Sequence, residues 1–159
     1  EPISEKDIVS TGIVSKKLWD EVRECSFALF QFGQKEAAKN GLILVDTKYE
    51  FGILNGKLLL VDEIHTSDSS RYWKAKTYEN LVASGNEPEM LDKEPARRWL
   101  ISQGYMGEGE APFISDQIRL DFLNRYIEAY QCITGVDFVP NQEEPISRIA
   151  KSLNLAHCI

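Results

Sequence analysis

Apolar residues recur at steps of three and four positions near the start of the chain, and this is the spacing of one face of an amphipathic helix. The repeated positions are Leu18, Val22, Cys25, Leu29 and Phe32. Ser15 is the expected N-cap, and Gly41 is expected to end the helix because glycine adopts the left-handed conformation that closes a last turn.

Residues 44–52, LVDTKYEFG, alternate in a strand-like manner and place an ionic side chain at every second position. In one continuous strand Asp46, Lys48 and Glu50 would share a face, and the residues between them would form a face that can be buried. An edge strand with a solvated ionic face is the simplest interpretation of this pattern alone.

Asn55 and Gly56 separate this run from a second apolar run, KLLLVDEI, at residues 57–64. Asparagine followed by glycine between two strand-like runs is the strongest short-range signal for a β-hairpin. We therefore predict a hairpin with its turn at Asn55 and Gly56.

The remainder of the chain is predicted to be a loop followed mainly by helices. Residues 65–73 have the Ser, Thr and Asp content of a loop, and residues 75–92 have no regular pattern. A helix is expected within residues 93–104, with Pro95 in its first turn and Gly104 past its end. A longer helix is expected within residues 115–135, between Ser115 and Gly135. A short amphipathic helix is expected within residues 141–154. The predicted class is α+β in one unit, residues 1–159, with a central antiparallel hairpin and flanking helices.

Charge and composition exclude several function classes. A formal net charge of −7 argues against non-specific binding of nucleic acid or anionic membranes, and there is no apolar run near bilayer length. Cys25, Cys132 and Cys158 are odd in number and far apart, so neither a disulfide framework nor a zinc site is expected. The first residues have no signal-peptide pattern and look like a cut through a longer chain; we expect a cytoplasmic protein.

Carboxylates are concentrated around the predicted hairpin, and we expect five of them to converge. They are Asp46, Glu50, Asp62, Glu63 and Asp68. Only Lys48 and Arg71 are nearby cations, so a divalent ion is the natural partner, and Mg²⁺ prefers one or two carboxylates together with substrate phosphates. Lys48 would then contact a nucleotide phosphate, and Arg71, expected on a Ser-rich loop, would bind a second one.

The register of the hairpin decides whether such a metal pair can form. A two-residue turn pairs Glu50 with Val61 and sends Asp62 to the opposite face. A three-residue loop with Gly56 in a bulge pairs Ile53 with Lys57 and places Glu50 and Asp62 together. We predict the second register, or a bulge with the same effect.

The segments DTKYEFG and LVDEIHTSDSSRYW, in this order and joined by a short hairpin, resemble the two signature segments of the SAICAR synthetase family. The resemblance extends over most of the chain, but it covers only the C-terminal portion of that enzyme. It implies a kinase-like or ATP-grasp-like C-terminal domain, in which the β-rich N-terminal lobe that covers ATP is missing.

The resemblance also implies an activity and a set of site residues. The family joins L-aspartate to the carboxylate of carboxyaminoimidazole ribonucleotide, with ATP and Mg²⁺, through an acyl phosphate. Glu50 and Asp62 would hold the metal, and Lys48 would contact phosphate or the reacting carboxylate. The substrate-binding residues would be Asp68 for the aminoimidazole, and Ser70 and Arg71 for the ribonucleotide phosphate.

Some assignments stay open at this stage. Ser67 stands where the family commonly has proline, so the loop is expected to be less rigid than in the family. Asp46 is either catalytic or an ion-pair partner of Lys48 or Arg71. Glu63 is a candidate for a residue that supports the metal ligands without contacting the metal itself. His65 is expected to be a solvated or hydrogen-bonding residue. His157 is expected in the tail, and a homo-oligomer is compatible with the sequence.

Two other functions would use the same carboxylates. One is a non-catalytic module that binds a Mg-nucleotide or a phosphosugar, and the other is a kinase-like phosphotransferase with a different acceptor. ADP formation that depends on both aspartate and the imidazole ribonucleotide distinguishes the ligase from both.

Overall fold

The computed structural model describes residues 2–153, so that His157 and Cys158 lie outside the described residues. The chain is α+β, as the sequence predicts. Its elements are α1 Glu5–Ser10, α2 Lys16–Lys39, β1 Leu42–Thr47, β2 Glu50–Leu54, β3 Lys57–Val61, β4 Ser70–Lys74, α3 Ala75–Ala83, α4 Glu94–Ser102, α5 Asp116–Thr134 and α6 Pro145–Ser152.

The predicted helix boundaries are confirmed where capping residues define them. The Ser15 hydroxyl accepts the Leu18 amide at the start of α2, and the Ser115 hydroxyl accepts the Ile118 amide at the start of α5. Gly135 closes α5 in the left-handed conformation, at φ 68°. Local capping chemistry therefore determines where these helices begin and end.

Two helices were not predicted, and one predicted apolar face is only partly buried. α1 and α3 lie in segments for which no helix was expected. On α2, Phe32 is 59% exposed, whereas Gly33 and Ala37 are the residues of the helix that are buried. The helix therefore turns its small residues toward the sheet, because these allow the closest approach of the two backbones.

The predicted single strand over residues 44–52 is wrong, because the chain breaks at Lys48 and Tyr49 into β1 and β2. β1 pairs antiparallel with β4, and β2 pairs antiparallel with β3 in a separate two-stranded sheet. Residues 70–73, expected to belong to a loop, are therefore part of strand β4, and Arg71 lies on a strand. The outer edge of β4 is covered by residues 89–91, whose backbone bonds to Tyr72 and Lys74.

The predicted three-residue hairpin loop is also wrong. Leu54 pairs with Lys57 and Glu50 pairs with Val61, which is the register of a two-residue turn. Asn55 and Gly56 have φ of 53° and 75°. Two successive residues with positive φ produce the turn whose twist matches that of paired strands, and no bulge is required.

The core lies where α2 and α5 pack against the β1–β4 sheet. Its buried members are Ala37, Leu42, Leu44, Tyr72, Leu91 and Ala129. Phe30, Cys132 and Ile133 pack against this cluster, and Cys25 and Cys132 are free thiols. Within residues 2–153, none of the helices has the length and apolar content that crossing a bilayer requires. This core holds the end of β1 and the start of β4 side by side.

Candidate functional site

Lys48 connects the two sheets and lies between two carboxylates. Its backbone amide donates to the Ser69 carbonyl at 3.2 Å. Its Nζ lies 2.5 Å from Glu50 Oε1 and 3.5 Å from Asp62 Oδ2. The hydrogen bond that the ammonium donates to Glu50, followed by the negative charge of that carboxylate, raises the pKa of Lys48.

The conformation of Asp62 explains how it reaches Lys48 although the hairpin register is unfavourable. In a continued strand, Asp62 would face away from Glu50, because Glu50 pairs with Val61. Asp62 instead adopts a left-handed conformation, at φ 67°, directly after β3. The strand alternation ends there, and the carboxylate turns toward Lys48. The predicted grouping of Lys48, Glu50 and Asp62 is thus present, by a different route from the predicted one.

The five carboxylates expected to converge are distributed among separate partners. Asp46 pairs with Arg71, Asp68 with Lys93, and Glu63 accepts the Thr66 hydroxyl. Among the described residues, no group of three or more His, Cys, Asp and Glu side chains could hold a metal ion. Glu50 and Asp62 remain as a pair, which is the number of carboxylates that a Mg²⁺ ion shared with substrate phosphates usually takes.

Arg71 faces Asp46 across the β1–β4 pair, at a register position where the two residues are direct partners. Arg71 Nε lies 2.9 Å from each carboxylate oxygen, and the guanidinium NH2 group also donates to Asp46. This hydrogen bonding lowers the pKa of Asp46, and the carboxylate raises the pKa of Arg71. Asp46 therefore orients the guanidinium, which is the structural role left open by the sequence.

The loop before β4 is organised by hydroxyl groups. The Thr66 hydroxyl accepts the Asp68 amide at 3.3 Å and the Ser69 amide at 3.1 Å. Ser70 is only 4% exposed, and its hydroxyl lies 2.8 Å from that of Thr47. Asp68 projects from this loop with its carboxylate 3.4 Å from Lys93 Nζ. The loop thus has an internal framework of hydrogen bonds on both sides of Ser67.

Lys48, the Asp46–Arg71 pair and the loop residues 68–70 line one cleft of about 410 Å³, and Glu50 and Asp62 lie beside it through their contacts with Lys48. One side carries Lys48 and Thr47 at the end of β1, the second carries residues 68–71, and the third carries residues 92–94 and Arg97. The third side was missed by sequence reasoning. The helix itself is predicted by the sequence. No local pattern indicates which of its charged residues face the cleft, because the residues on the other two sides of the cleft lie more than twenty positions earlier in the chain.

Asp92 attaches the third side to the second. It is 5% exposed and accepts the Tyr72 amide at 3.3 Å and the Glu94 amide at 2.7 Å. Burial raises the pKa of Asp92, whereas these two backbone hydrogen bonds oppose that rise. One buried carboxylate therefore connects β4, next to Arg71, with the start of α4.

His65 is part of the packing beneath the site. Its ring nitrogen Nε2 lies 2.6 Å from the Tyr49 hydroxyl, and its carbonyl accepts the Tyr72 hydroxyl at 2.6 Å. Burial lowers the pKa of His65 and raises that of Tyr72 to about 12. The hydrogen-bonding role expected for His65 is therefore confirmed, and burial of the ring disfavours the charged imidazolium.

Comparisons with known proteins agree on one family. A family model described as SAICAR synthetase matches residues 1–112. The chloroplastic phosphoribosylaminoimidazole-succinocarboxamide synthase of Arabidopsis thaliana is 44% identical over 159 residues, which cover 98% of this chain and 39% of the relative. The chain spans about half the length of the curated relatives it matches.

Solved structures give the same result. The chain is similar to SAICAR synthase from Saccharomyces cerevisiae complexed with SAICAR, with a TM-score of 0.64 and 32% identity over 80% of this chain and 42% of that one. It is also similar to a type-2 SAICAR synthetase in complex with ADP, with a TM-score of 0.58 and 27% identity over 87% of this chain and 46% of the other.

Proposed function

Because the chain belongs to the SAICAR synthetase family, we propose that residues 1–159 form the C-terminal domain of a longer ATP-dependent ligase. The ligase joins L-aspartate to the carboxylate of carboxyaminoimidazole ribonucleotide and releases SAICAR, ADP and phosphate. The observation that carries this proposal is that Lys48, Ser70 and Arg71 line the same cleft. The complexes of relatives with SAICAR and with ADP support the two ligand classes.

The nucleotide side of the proposed site consists of Lys48, Glu50 and Asp62. Mg²⁺, when bound, neutralises charge on the phosphates during phosphoryl transfer, and Glu50 and Asp62 are the residues that would hold it. Both carboxylates already lie around one cation, the Lys48 ammonium. We propose that, when nucleotide is present, the Lys48 ammonium contacts a phosphate or the reacting carboxylate. Glu50 and Asp62 would then be available to bind the metal.

The ribonucleotide side consists of Asp68, Ser70 and Arg71. Asp68 would accept hydrogen bonds from the aminoimidazole, and the Ser70 hydroxyl and Arg71 guanidinium would donate to the 5′-phosphate. Arg71 is well suited to this task because Asp46 already fixes its orientation, while 53% of its side chain remains exposed. The kinase-like or ATP-grasp-like arrangement implied by the resemblance, with an N-terminal lobe over ATP, is part of the same proposal.

The chemistry that these groups would support has two steps. A carboxylate oxygen of the ribonucleotide attacks the γ-phosphorus of ATP, the bond from that phosphorus to the bridging oxygen breaks, and ADP leaves. The amine of L-aspartate then attacks the acyl carbon, phosphate departs, and the nitrogen loses a proton to give the amide. Positioning and charge neutralisation supply most of the catalysis in such a transfer.

Two substitutions in the full-length enzyme separate the two sides. Asn at position 62 tolerates the left-handed conformation but removes the charge, so we expect Asp62→Asn to lower kcat with every substrate. Lys at position 71 keeps the charge but loses the planar fork, so we expect Arg71→Lys to raise KM for the ribonucleotide about tenfold to hundredfold, with little change for ATP. Weakening of ATP binding by Arg71→Lys would show that the two sides are assigned in the wrong order.

Coupled turnover tests the reaction class itself. The ligase releases ADP in a steady state only when L-aspartate and the imidazole ribonucleotide are both present, or when the acyl phosphate is trapped. A non-catalytic module binds nucleotide and releases no ADP in any mixture, and a phosphotransferase of another kind releases ADP with a different acceptor. Omitting each substrate in turn distinguishes the three.

We propose a cytoplasmic location from the three separated cysteines and the absence of a CxxC pair in the sequence. The Arabidopsis relative is named as chloroplastic, so location is a property to be measured for each member. Fractionation of cells that express the full-length protein tests it. The oligomeric state of the same protein is a separate measurement, for which sedimentation is suited.

A further inference from the structure

The two sheets are joined by two chain segments, and these segments are bonded to each other. Lys48 and Tyr49 connect β1 with β2, and residues 62–69 connect β3 with β4. The Lys48 amide donates to the Ser69 carbonyl at 3.2 Å, and the Tyr49 hydroxyl lies 2.6 Å from His65 Nε2. We call these two connected segments the junction. It is held by one backbone hydrogen bond and one hydrogen bond between side chains.

The two sheets carry different halves of the proposed site. Glu50 begins the β2–β3 hairpin and Asp62 directly follows it, whereas Ser70 and Arg71 lie on β4. Within residues 2–153 the hairpin and the β1–β4 pair form separate sheets, so strand pairing does not fix the distance between the two halves. The junction therefore determines how the proposed metal ligands lie relative to the ribonucleotide side.

His65 is itself held on two sides. Its carbonyl accepts the hydroxyl of Tyr72, a core residue that is 2% exposed, at 2.6 Å. Its ring lies against the backbone of α2 at Gly33, where an added Cβ would come within 2.6 Å of Cε1. The Tyr49 and His65 rings meet edge to face, with their centroids 5.6 Å apart. Tyr49 is thus connected through His65 to the core and to α2.

We propose that the hydrogen bond between Tyr49 and His65 positions Lys48 and Glu50 relative to the ribonucleotide side of the cleft. Neither Tyr49 nor His65 is among the residues that line this cleft, so they are positioning residues that act through their neighbours. The inference rests on the proposed function, because that reaction requires both halves of the site at once. A displacement of about 1 Å between reacting groups can cost about 10²-fold in rate.

The test is steady-state kinetics of Tyr49→Phe, His65→Ala and His65→Gln in the full-length enzyme, with each substrate varied in turn. Tyr49→Phe removes only the hydroxyl and is expected to lower kcat about tenfold to hundredfold. KM for ATP and for the ribonucleotide is expected to change less than about threefold, because each half of the site keeps its own binding groups. This division between kcat and KM distinguishes positioning from the loss of a ligand contact.

Two comparisons separate the hydrogen bond from packing. His65→Ala is expected to lower kcat as Tyr49→Phe does, whereas His65→Gln keeps an amide that can bond to the Tyr49 hydroxyl and is expected to retain kcat within about threefold. Tyr130→Phe is the matched control. Tyr130 lies on α5, where its ring packs against Phe138, and it is not among the residues that line the cleft. Loss of its hydroxyl is expected to leave kcat and every KM unchanged.

Hydrogen exchange measures the junction without turnover. In Tyr49→Phe and His65→Ala the Lys48 amide is expected to exchange about 2- to 10-fold faster, because one of the two hydrogen bonds across the junction is lost. The amides that pair β1 with β4 and β2 with β3 are expected to keep their exchange rates. Faster exchange throughout both sheets would show a general loss of stability and would overturn the proposal.

An unchanged kcat in Tyr49→Phe overturns the proposal, and this variant loses no carbon atom from the packing. An equal loss of kcat in His65→Gln and His65→Ala overturns it as well, because the imidazole ring and not its hydrogen bond would then be required. An increase confined to KM for one substrate would assign Tyr49 and His65 to that subsite instead. The unaltered enzyme is measured first: if it releases no ADP in response to L-aspartate and the ribonucleotide, the proposed function fails, and hydrogen exchange still decides whether this bond holds the junction.

Discussion

At the scale of single residues, Gly33 determines how closely α2 approaches the segment that carries the site. A Cβ atom at this position would lie 2.6 Å from His65 Cε1 and 2.7 Å from Leu44 Cδ2. Neither neighbour is free to move, because Leu44 is 1% exposed and the His65 ring is hydrogen-bonded to the Tyr49 hydroxyl. A helix interior normally disfavours glycine, so its presence here reflects packing.

We therefore expect Gly33→Ala to destabilise the protein. Alanine improves helix propensity by about 1 kcal/mol, but overpacking of a close contact costs about 1–3 kcal/mol, so the net loss is about 0–2 kcal/mol. The measurement is the free energy of unfolding in urea. Gly52→Ala is the matched control, since a Cβ there would meet Val61 Cγ1 at an ordinary 3.6 Å. A Gly33→Ala variant more stable than the unaltered chain would show that the helix can shift without loss.

At the scale of elements, short-range chemistry was predictable and long-range pairing was not. The ends of α2 and α5 followed from Ser15, Ser115 and Gly135, because caps act within four residues. β4 was missed because it pairs with β1 across more than twenty residues and follows a loop rich in Ser and Thr. The same nonlocal pairing, rather than a strand pattern, brings Arg71 to Asp46.

The hairpin shows how a functional expectation can mislead a structural one. Asn55 and Gly56 predict the position of the turn correctly, but the predicted register depends on the requirement that Glu50 and Asp62 share a face. In the structure, the left-handed backbone of Asp62 alone brings its carboxylate to the side of Lys48 and Glu50. The hairpin keeps the register of a two-residue turn. Positive φ at a non-glycine residue could not be read from a strand pattern.

The turn itself can be tested by substitution. Gly56 has φ 75°, where a side chain costs about 1–2 kcal/mol, so we expect Gly56→Ala to open the hairpin about 5- to 30-fold more often. Hydrogen exchange of the amides that pair β2 with β3 measures this opening locally. Asn55→Gly is the control, because glycine adopts φ 53° without strain. Equal exchange rates in Gly56→Ala and the unaltered chain would contradict the strained-turn argument.

At the scale of the whole molecule, the site is assembled from segments that are distant in sequence. β1, the hairpin, the loop before β4 and the first turn of α4 each contribute charged groups to it. Sequence reasoning identified Lys48, Glu50, Asp62, Asp68, Ser70 and Arg71, whose roles remain proposals. It could not identify Asp92, Lys93 or Arg97, because only the packing of α4 beside β4 brings them to the cleft.

The exposure of the nucleotide side leads to the last prediction, which concerns the 159-residue chain expressed alone. The side chains of Lys48, Glu50 and Asp62 are 60%, 49% and 46% exposed. Charged contacts with this exposure are worth about 0–1 kcal/mol each, so three of them support a dissociation constant for MgATP of about 1 mM or weaker. The apolar residues Ile53 and Leu54 of the hairpin are also 59% and 60% exposed, so nothing within residues 2–153 excludes water from this side.

Isothermal titration of the isolated chain with MgATP tests this expectation, and thermal unfolding of the same sample shows that the chain is folded. We expect weak binding and no steady release of ADP, whereas the full-length enzyme is expected to bind MgATP at least tenfold more tightly, because further protein around the phosphates removes solvent and strengthens each charged contact. Micromolar binding with steady ADP release by residues 1–159 alone would show that the exposed charges are sufficient, and would contradict the proposal that a further lobe completes the site.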